Sequence, residues 1–285
     1  MEYLPEDPLL KFHPDTLHYV RKTYKLDHAE SMAKAIDTLD AWVKKQDHFI
    51  KKDYNRDYLE RTIIRAEGSV EYAKEHLEKL CKSRKLVPRF FLTGDFGTPL
   101  LADKEDVFLP KLTKDYYRVY LAQNKIQDYK PEMNDAYYKR LIYMLEYICA
   151  HDYSCGFIWV YDFRQTNMSQ FLKYLDKTDL GHCFNIILNA YSFKLKGIHI
   201  ITTSNLVDTF VSMLKEVVNK EVRERIHVLK DVEELYDHVD RHILPEEYDG
   251  QETSMSELYH KWVDILGSKD YNKYMEDMNK AKTKD

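Results

Sequence analysis

Glycine is scarce in this chain, 8 among 285 residues. Nucleotide-binding α/β enzymes spend glycines on the loops that cradle phosphate. Neither G-x-x-x-x-G-K-[ST] nor G-x-G-x-x-G occurs. There is no G-x-S-x-G elbow, which removes the usual α/β-hydrolase nucleophile. Cysteine is sparse too: four residues point to free thiols in a reducing compartment, not to a disulfide framework. A basic excess is missing, since 43 Lys+Arg face 48 Asp+Glu for a formal net charge of −5. That balance excludes a general nucleic-acid binder but leaves room for a local basic patch. No run approaches the ~18 apolar residues of a membrane helix. The segment Met1 to Asp7 is acidic and lacks the apolar core of a signal peptide. The expected address is cytoplasmic.

Aromatics are what the chain has in surplus, 23 Tyr and 12 Phe, or 13% with tryptophan. A hydrophobic fraction of 44% with mean hydropathy −0.59 describes a soluble globular protein. Its length suits one large domain or a main domain with a smaller companion. Aromatic surplus fits a large core, an interface or an apolar ligand pocket, and composition does not choose among them.

Periodicity divides the chain. Met32, Ile36, Leu39 and Val43 recur at helical steps behind a cap at Asp27 or Ser31, with Trp42 beside the stripe. A second helix is expected near Asp57 to Ile64, and a third from the cap Ser69 to about Arg84, stopped by Pro88. Thr93 to Pro99 reads as a loop and a domain boundary. Beyond it strands and helices alternate. Tyr116 to Leu121 is a strand and Glu132 to His151 a helix. Gly156 to Tyr161, ending at Asp162, is apolar throughout, as a strand buried on both faces should be. Helices near Asn167 to Leu175 and Leu180 to Tyr191 precede a buried strand at Gly197 to Ile201. An apolar helix over Asn205 to Val218, a strand at Arg225 to Leu229 and a last helix at Ser256 to Leu266 follow. The rhythm predicts an α/β fold with a mainly parallel sheet. The Lys-rich end, Asn279 to Asp285, is expected to fray.

Chemistry-bearing clusters are weak. Asp95-Phe96-Gly97 spells the kinase metal tripeptide without a glycine-rich loop or an H-R-D segment. His238 and His242 are four apart, but the glutamate of H-E-x-x-H is replaced by Val239. Cys149, His151 and Cys155 lack a second C-x-x-C pair. Asn167-Met168-Ser169 spells a glycosylation triplet, without consequence in a cytosolic chain. Non-ligand roles are the reading for all of these, with no metal, no cofactor and no catalytic residue.

The segment Tyr191-Ser192-Phe193-Lys194-Leu195-Lys196-Gly197-Ile198-His199-Ile200-Ile201 resembles the YP-x-x-[KR]-x-[KR]-G-I-H-x-I-N stretch of the CRAL-TRIO lipid-binding family. Upstream, Phe157 to Asp162 is similar to that family's strand ending in Asp. Downstream, Val211 to Lys215 and Arg223 to His227 resemble its gate helix and following strand, and Leu244 to Gly250 its closing L-P-x-E-Y-G-G. Asp40 to Phe91 is similar to the helical domain that precedes it. The flavour is that of the branch containing α-tocopherol transfer protein and its insect relatives. Ser192 stands for the usual Pro, Thr202 for Asn, Asp249 for the first closing Gly, and Glu67 for a basic residue.

The resemblance implies a helical domain over 1–95, a lipid-binding domain over 96–251 and a C-terminal helix and tail over 252–285. It implies a sheet that floors an apolar cavity under a mobile gate helix. Alternation puts Phe157, Trp159 and Tyr161 on one strand face, and the resemblance makes that face ligand-binding; the competing reading is an aromatic core under a helix. Ile198 and Ile200 on the next strand, with Ile186, Ile187 and Phe193 before it, are further lining candidates. So are Met168, the α-helical pair Tyr143 and Tyr147, and Phe210 and Leu214 of the gate. Lys194, Lys196 and Arg225, helped by Lys220 and Arg223, would form a phosphoinositide groove, with Glu221 subtracting charge. Expected partners are one lipophilic small molecule (retinoid, carotenoid, tocopherol, other isoprenoid or phospholipid) and a transient membrane surface, for a monomer that transfers lipid without chemistry. The rivals are a ligand-free protein-interaction module on the same fold and an α/β enzyme.

Overall fold

The computed structural model describes residues 4, 6–92 and 99–284. The expected boundary loop and the Asp95-Phe96-Gly97 tripeptide lie outside the described residues.

Four helices come first: α1 (Thr16–Thr23), α2 (Ala29–Lys45), α3 (Arg56–Arg65) and α4 (Val70–Leu86). In α2 the stripe Met32, Ile36, Leu39 and Val43 is buried, so the period of the sequence is the period of the packing. Its N-cap is His28, between the two residues expected to cap it, and no side chain caps the end. Ser69 does cap α4, accepting from the Tyr72 amide at 3.2 Å. Asn55 does the same for α3. Pro88 opens the short 3-10 turn Pro88–Phe91 after α4.

The rest is a five-stranded sheet in the order β1-β2-β3-β4-β5, with β1 (Lys104–Phe108), β2 (Tyr117–Asn124), β3 (Gly156–Asp162), β4 (Leu195–Ile201) and β5 (Ile226–Leu229). Only β1 runs antiparallel to its neighbour. Crossovers are α5 (Glu132–His151), then α6 (Met168–Tyr174) and α7 (Lys177–Asn185), then α8 (Val207–Val217) and α9 (Lys220–Arg223). A π-turn, Ile186–Ala190, prolongs α7. The mainly parallel α/β architecture expected from the sequence is therefore the observed one.

Register assigns the faces. Tyr120 lies beside Trp159 and Ala122 beside Tyr161. Ile198 and Ile200 continue those two rows on β4. One face thus carries Phe108, Tyr120, Phe157, Trp159 and Tyr161, and α5 and α8 pack on it. The other carries Val160 and His199, with His227 alongside. There His199, His227 and His238 stack at centroid distances of 5.2, 4.3 and 5.0 Å. Burial and its two neighbours push His199 down to about 3, so the buried ring is neutral.

Two turns show how family-pattern departures are absorbed. Ser192 has φ 59°, a value the pyrrolidine ring of a proline does not reach, and its hydroxyl donates to the Arg65 carbonyl at 3.0 Å. Asp249 keeps a left-handed φ of 52° without being glycine. Gly250 has no such latitude, because a Cβ there would fall 1.8 Å from the Leu244 carbonyl oxygen.

Residues 279–284, expected to fray, are paired with the body of the protein instead. Helices α10 (Met255–Leu266) and α11 (Lys269–Met278) pack back onto the chain, and Phe49 bridges Thr283. The Ile50 amide donates to Lys282 at 3.1 Å, and the Lys284 amide to His48 at 2.8 Å. Lys51 pairs with Asp277 beneath them. Backbone pairing holds a tail whose composition alone reads as solvent-loving.

Charges are buried at the junction of these parts. Arg84 of α4 pairs with Glu146 of α5, and the same carboxylate accepts from the Tyr191 hydroxyl at 2.6 Å. Arg84 also donates to the Ala281 carbonyl at 3.3 Å. Removing one member of such a pair strands the other. Glu146→Ala should therefore cost about 3–5 kcal/mol in urea unfolding, and Glu146→Gln, which still accepts from Tyr191, should cost less. A loss below ~1 kcal/mol for Glu146→Ala would show that water reaches Arg84 and that the pair is not a joint of the fold.

Candidate functional site

The aromatic sheet face is covered by α8, whose sequence makes it amphipathic. Val207, Phe210 and Leu214 are buried at steps of three and four, whereas Leu206 just before them is 44% exposed. Phe210 meets Phe171 at 5.3 Å, Phe163 at 5.4 Å and Tyr161 at 6.2 Å, all edge-on. Edge-to-face packing is the geometry that aromatic quadrupoles favour.

A cavity lies under this lid, walled by Tyr161, Phe163, Phe171 and Phe210, by Met133, Tyr137 and Tyr138 of α5, and by Ile126, Tyr129 and Leu101. Its free volume is about 40 Å³, room for a few waters and far less than a lipid. Trp159 and Phe157 take up the remaining space along the face. Trp159 packs on Tyr120 at 4.6 Å and Phe108 at 5.9 Å, and Phe157 stacks flat on Phe193 at 4.0 Å.

Of the sequence candidates, Tyr161 and Phe210 are on the cavity wall. Phe157, Trp159, Ile198 and Ile200 share its sheet face but lie beyond the free space. Met168, Ile186, Ile187, Phe193 and Leu214 are buried but not on its wall; the Ile186–Ala190 turn packs against α4, and Phe193 lines a different hollow. Tyr143 and Tyr147 are a correction. They sit on the far side of α5, against Tyr271 at 6.1 and 5.6 Å, and Tyr147 also meets Trp262 at 5.3 Å. At about 100° per residue, they are turned away from Tyr137, which does face the cavity.

Several wall residues were missed. Phe163 and Phe171 follow the strand in loop and helix, where period two no longer applies. Lys104 was overlooked because a lysine reads as surface. It is 5% exposed, lines the cavity, and holds its Nζ 3.5 Å from the Tyr137 ring centroid. Burial pushes its ammonium down to about 7, Asp106 opposing that shift and Arg140 adding to it.

Of the basic residues expected at a headgroup groove, Lys194 alone lines a second hollow, of about 200 Å³, with Arg65, Glu67, His76, Ser192 and Glu221; Lys196, Lys220, Arg223 and Arg225 are not on its wall. Its charges are largely matched within the protein. Lys194 pairs with Glu67, and Arg225 pairs with Glu221 at 2.8 Å while donating to Leu195 at 3.0 Å. Lys196 lies 5.1 Å over the Tyr117 ring, with its ammonium lowered by burial and then by Lys194 and Arg225. Arg223 donates to the Val218 carbonyl at 3.0 Å, and Lys220 is exposed on α9.

The weak clusters of the sequence find structural places. Cys149 and Cys155 are buried free thiols, and His151 lies 3.1 Å from Asp7. His238 joins the histidine stack, and His242 lies apart from it, exposed in the turn Arg241–Ile243. Asn167 caps α6 by accepting from the Gln170 amide at 3.2 Å. Among the described residues no group of three or more His, Cys, Asp or Glu is placed to hold a metal ion, and no helix is long and apolar enough to cross a membrane.

Comparison with known proteins agrees with this geometry. A family model described as the CRAL/TRIO domain matches residues 103–250, which span β1 through the Gly250 turn. The crystal structure of Sfh5 aligns with 94% of this chain and 100% of its own, at a TM-score of 0.50 and 14% identity. At that identity the likeness concerns the fold.

Proposed function

From the premise that the chain, matched over half its length, belongs to the CRAL/TRIO family of lipid-binding proteins, we propose that it carries one lipophilic molecule between membranes. The site is the aromatic cavity under α8, and α8 is its gate. The observation that carries this reading is the cover over the cavity end of the aromatic face: the amphipathic helix α8 lays Phe210 on Tyr161, Phe163 and Phe171. Burying a ligand there yields roughly 25 cal/mol per Å² of apolar surface. No bond is made or broken.

The small free volume requires motion. A retinoid, carotenoid, tocopherol, other isoprenoid or phospholipid enters only if α8 lifts and Tyr161 and Phe210 part. Lifting exposes Val207, Phe210 and Leu214 together with Leu206, a face that a bilayer interface can receive. The family motif over Tyr191 to Ile201 supports placement near the tocopherol-transfer branch, and we take the protein to act in the cytosol as a monomer. A second reading, a ligand-free interaction module, is favoured by the packing of Trp159 against Phe108 and Tyr120, which fills the face with the protein's own rings.

Organic extraction of the purified protein followed by mass spectrometry separates the two. A carrier should yield one lipid near stoichiometric amount; a protein that yields none, and takes up none from vesicles, is the interaction module.

The groove makes a separate prediction. With Lys194 and Arg225 already paired to Glu67 and Glu221, attraction to phosphoinositide vesicles should be present but weak. A basic residue near an anionic surface is worth ~1 kcal/mol. Glu221→Lys should therefore raise vesicle binding several-fold at low salt, and Lys194→Ala with Lys196→Ala should lower it. Both effects should fade with added salt, because exposed charges are screened over ~8 Å at physiological ionic strength. If neither variant changes vesicle binding, the cluster is only solvated surface.

A further inference from the structure

Among the described residues Lys104 is the one cation on the cavity wall, and its chemistry is unspent. Its strand, β1, carries Glu105 on the opposite face, where it pairs with Lys125 at 3.5 Å, and Asp106 on the same face. Asp106 is already committed: it pairs with Arg140 of α5 and accepts from the Tyr120 hydroxyl of β2 at 3.1 Å. Arg140 further donates to the Lys104 carbonyl at 3.0 Å and to the Tyr259 hydroxyl of α10 at 2.8 Å. From α7 the group faces Cys183, a thiol held neutral by burial. Asp179 of α7 is engaged by Arg89. Tyr137 and Tyr138 of α5 and Tyr161 of β3 are phenols whose ionisation burial suppresses.

Two buried cations, Lys104 and Arg140, thus face one buried carboxylate. Among the described residues the Lys104 Nζ has no hydrogen-bond or salt-bridge partner, and it lies 3.5 Å from the Tyr137 ring centroid. A buried ammonium is costly unless paired, so such a group either loses its proton or gains an anion.

We propose that the cavity selects an amphiphile with a single carboxylate, held by the Lys104 ammonium while its apolar body lies among Tyr161, Phe163, Phe171 and Phe210. This rests on the carrier reading above and narrows its ligand to a long-chain or ring-bearing carboxylic acid. The carboxylate supplies the missing negative charge next to Asp106 and Arg140. The aromatic wall accounts for the rest of the molecule. With the amine free in the empty protein above about pH 7, binding such an anion takes up a proton.

The test measures binding of oleate and of oleyl alcohol to the full-length protein, followed by tryptophan fluorescence. At pH 7 oleate should bind roughly 10- to 100-fold more tightly, the span of a hydrogen bond between charged groups. Its affinity should fall by up to about tenfold per unit as pH rises from 7 to 9, whereas oleyl alcohol should show no such trend. Lys104→Met should erase the preference and the pH dependence together and leave oleyl alcohol bound. The pH series needs no variant, so a failure of Lys104→Met to fold leaves it decisive. Equal binding of the two ligands with no pH trend overturns the role of Lys104 and leaves the carrier reading standing. If neither ligand binds and vesicle lipids fail as well, the carrier reading falls and this assignment with it.

Discussion

Phe210 against Tyr161, Phe163 and Phe171 is the contact on which the arrangement depends. Four rings from four places in the chain (β3, the loop after it, α6 and α8) meet edge-on and close one end of an aromatic sheet face. If α8 stays down, water is excluded and the face is a core; if α8 lifts, the same face is a binding surface. The contact is held by ring packing and area burial, so opening it, as the proposed gate requires, would cost apolar burial that a ligand's surface could restore.

Away from α8, buried polar contacts tie the other elements together. Arg84, Glu146, Tyr191 and the Ala281 carbonyl tie α4, α5, the approach to β4 and the C-terminal tail at one point. Arg65 reinforces the joint by donating to the Tyr191 carbonyl at 3.1 Å. The second hollow opens beside it, lined by Arg65, Glu67, Ser192 and Lys194. That hollow thus lies beside the buried Arg84–Glu146 joint, apart from the contact between α8 and the sheet.

Much of this was legible in the sequence, for identifiable reasons. Strands β3 and β4 are buried on both faces, so their apolar runs stand out, and α5 was bounded at Glu132 and His151 by its own periodicity. Strand β1 was not legible: in Lys104-Glu105-Asp106-Val107-Phe108 three charged residues precede the apolar ones, and two of them are buried by partners or by the cavity. The tail misled because its lysines are polar while its backbone pairs with residues 48 to 51. Tyr161 and Phe210, put forward from strand alternation and helix periodicity, line the cavity, whereas Tyr143 and Tyr147, put forward without regard to which side of α5 meets the sheet, pack on Tyr271. Lys104 was invisible for the deeper reason that pattern reading treats charge as exposure.

The movement of α8 is the central claim, and a reversible staple addresses it most directly. A Cβ at Gly181 of α7 would lie 3.6 Å from Cγ1 of Val217 in α8, close enough for a disulfide to be built between Gly181→Cys and Val217→Cys. The measurement is lipid uptake from labelled vesicles by the oxidised and then the reduced protein. Uptake blocked when oxidised and restored by reductant is the expected result; full uptake with the staple closed would contradict the gate.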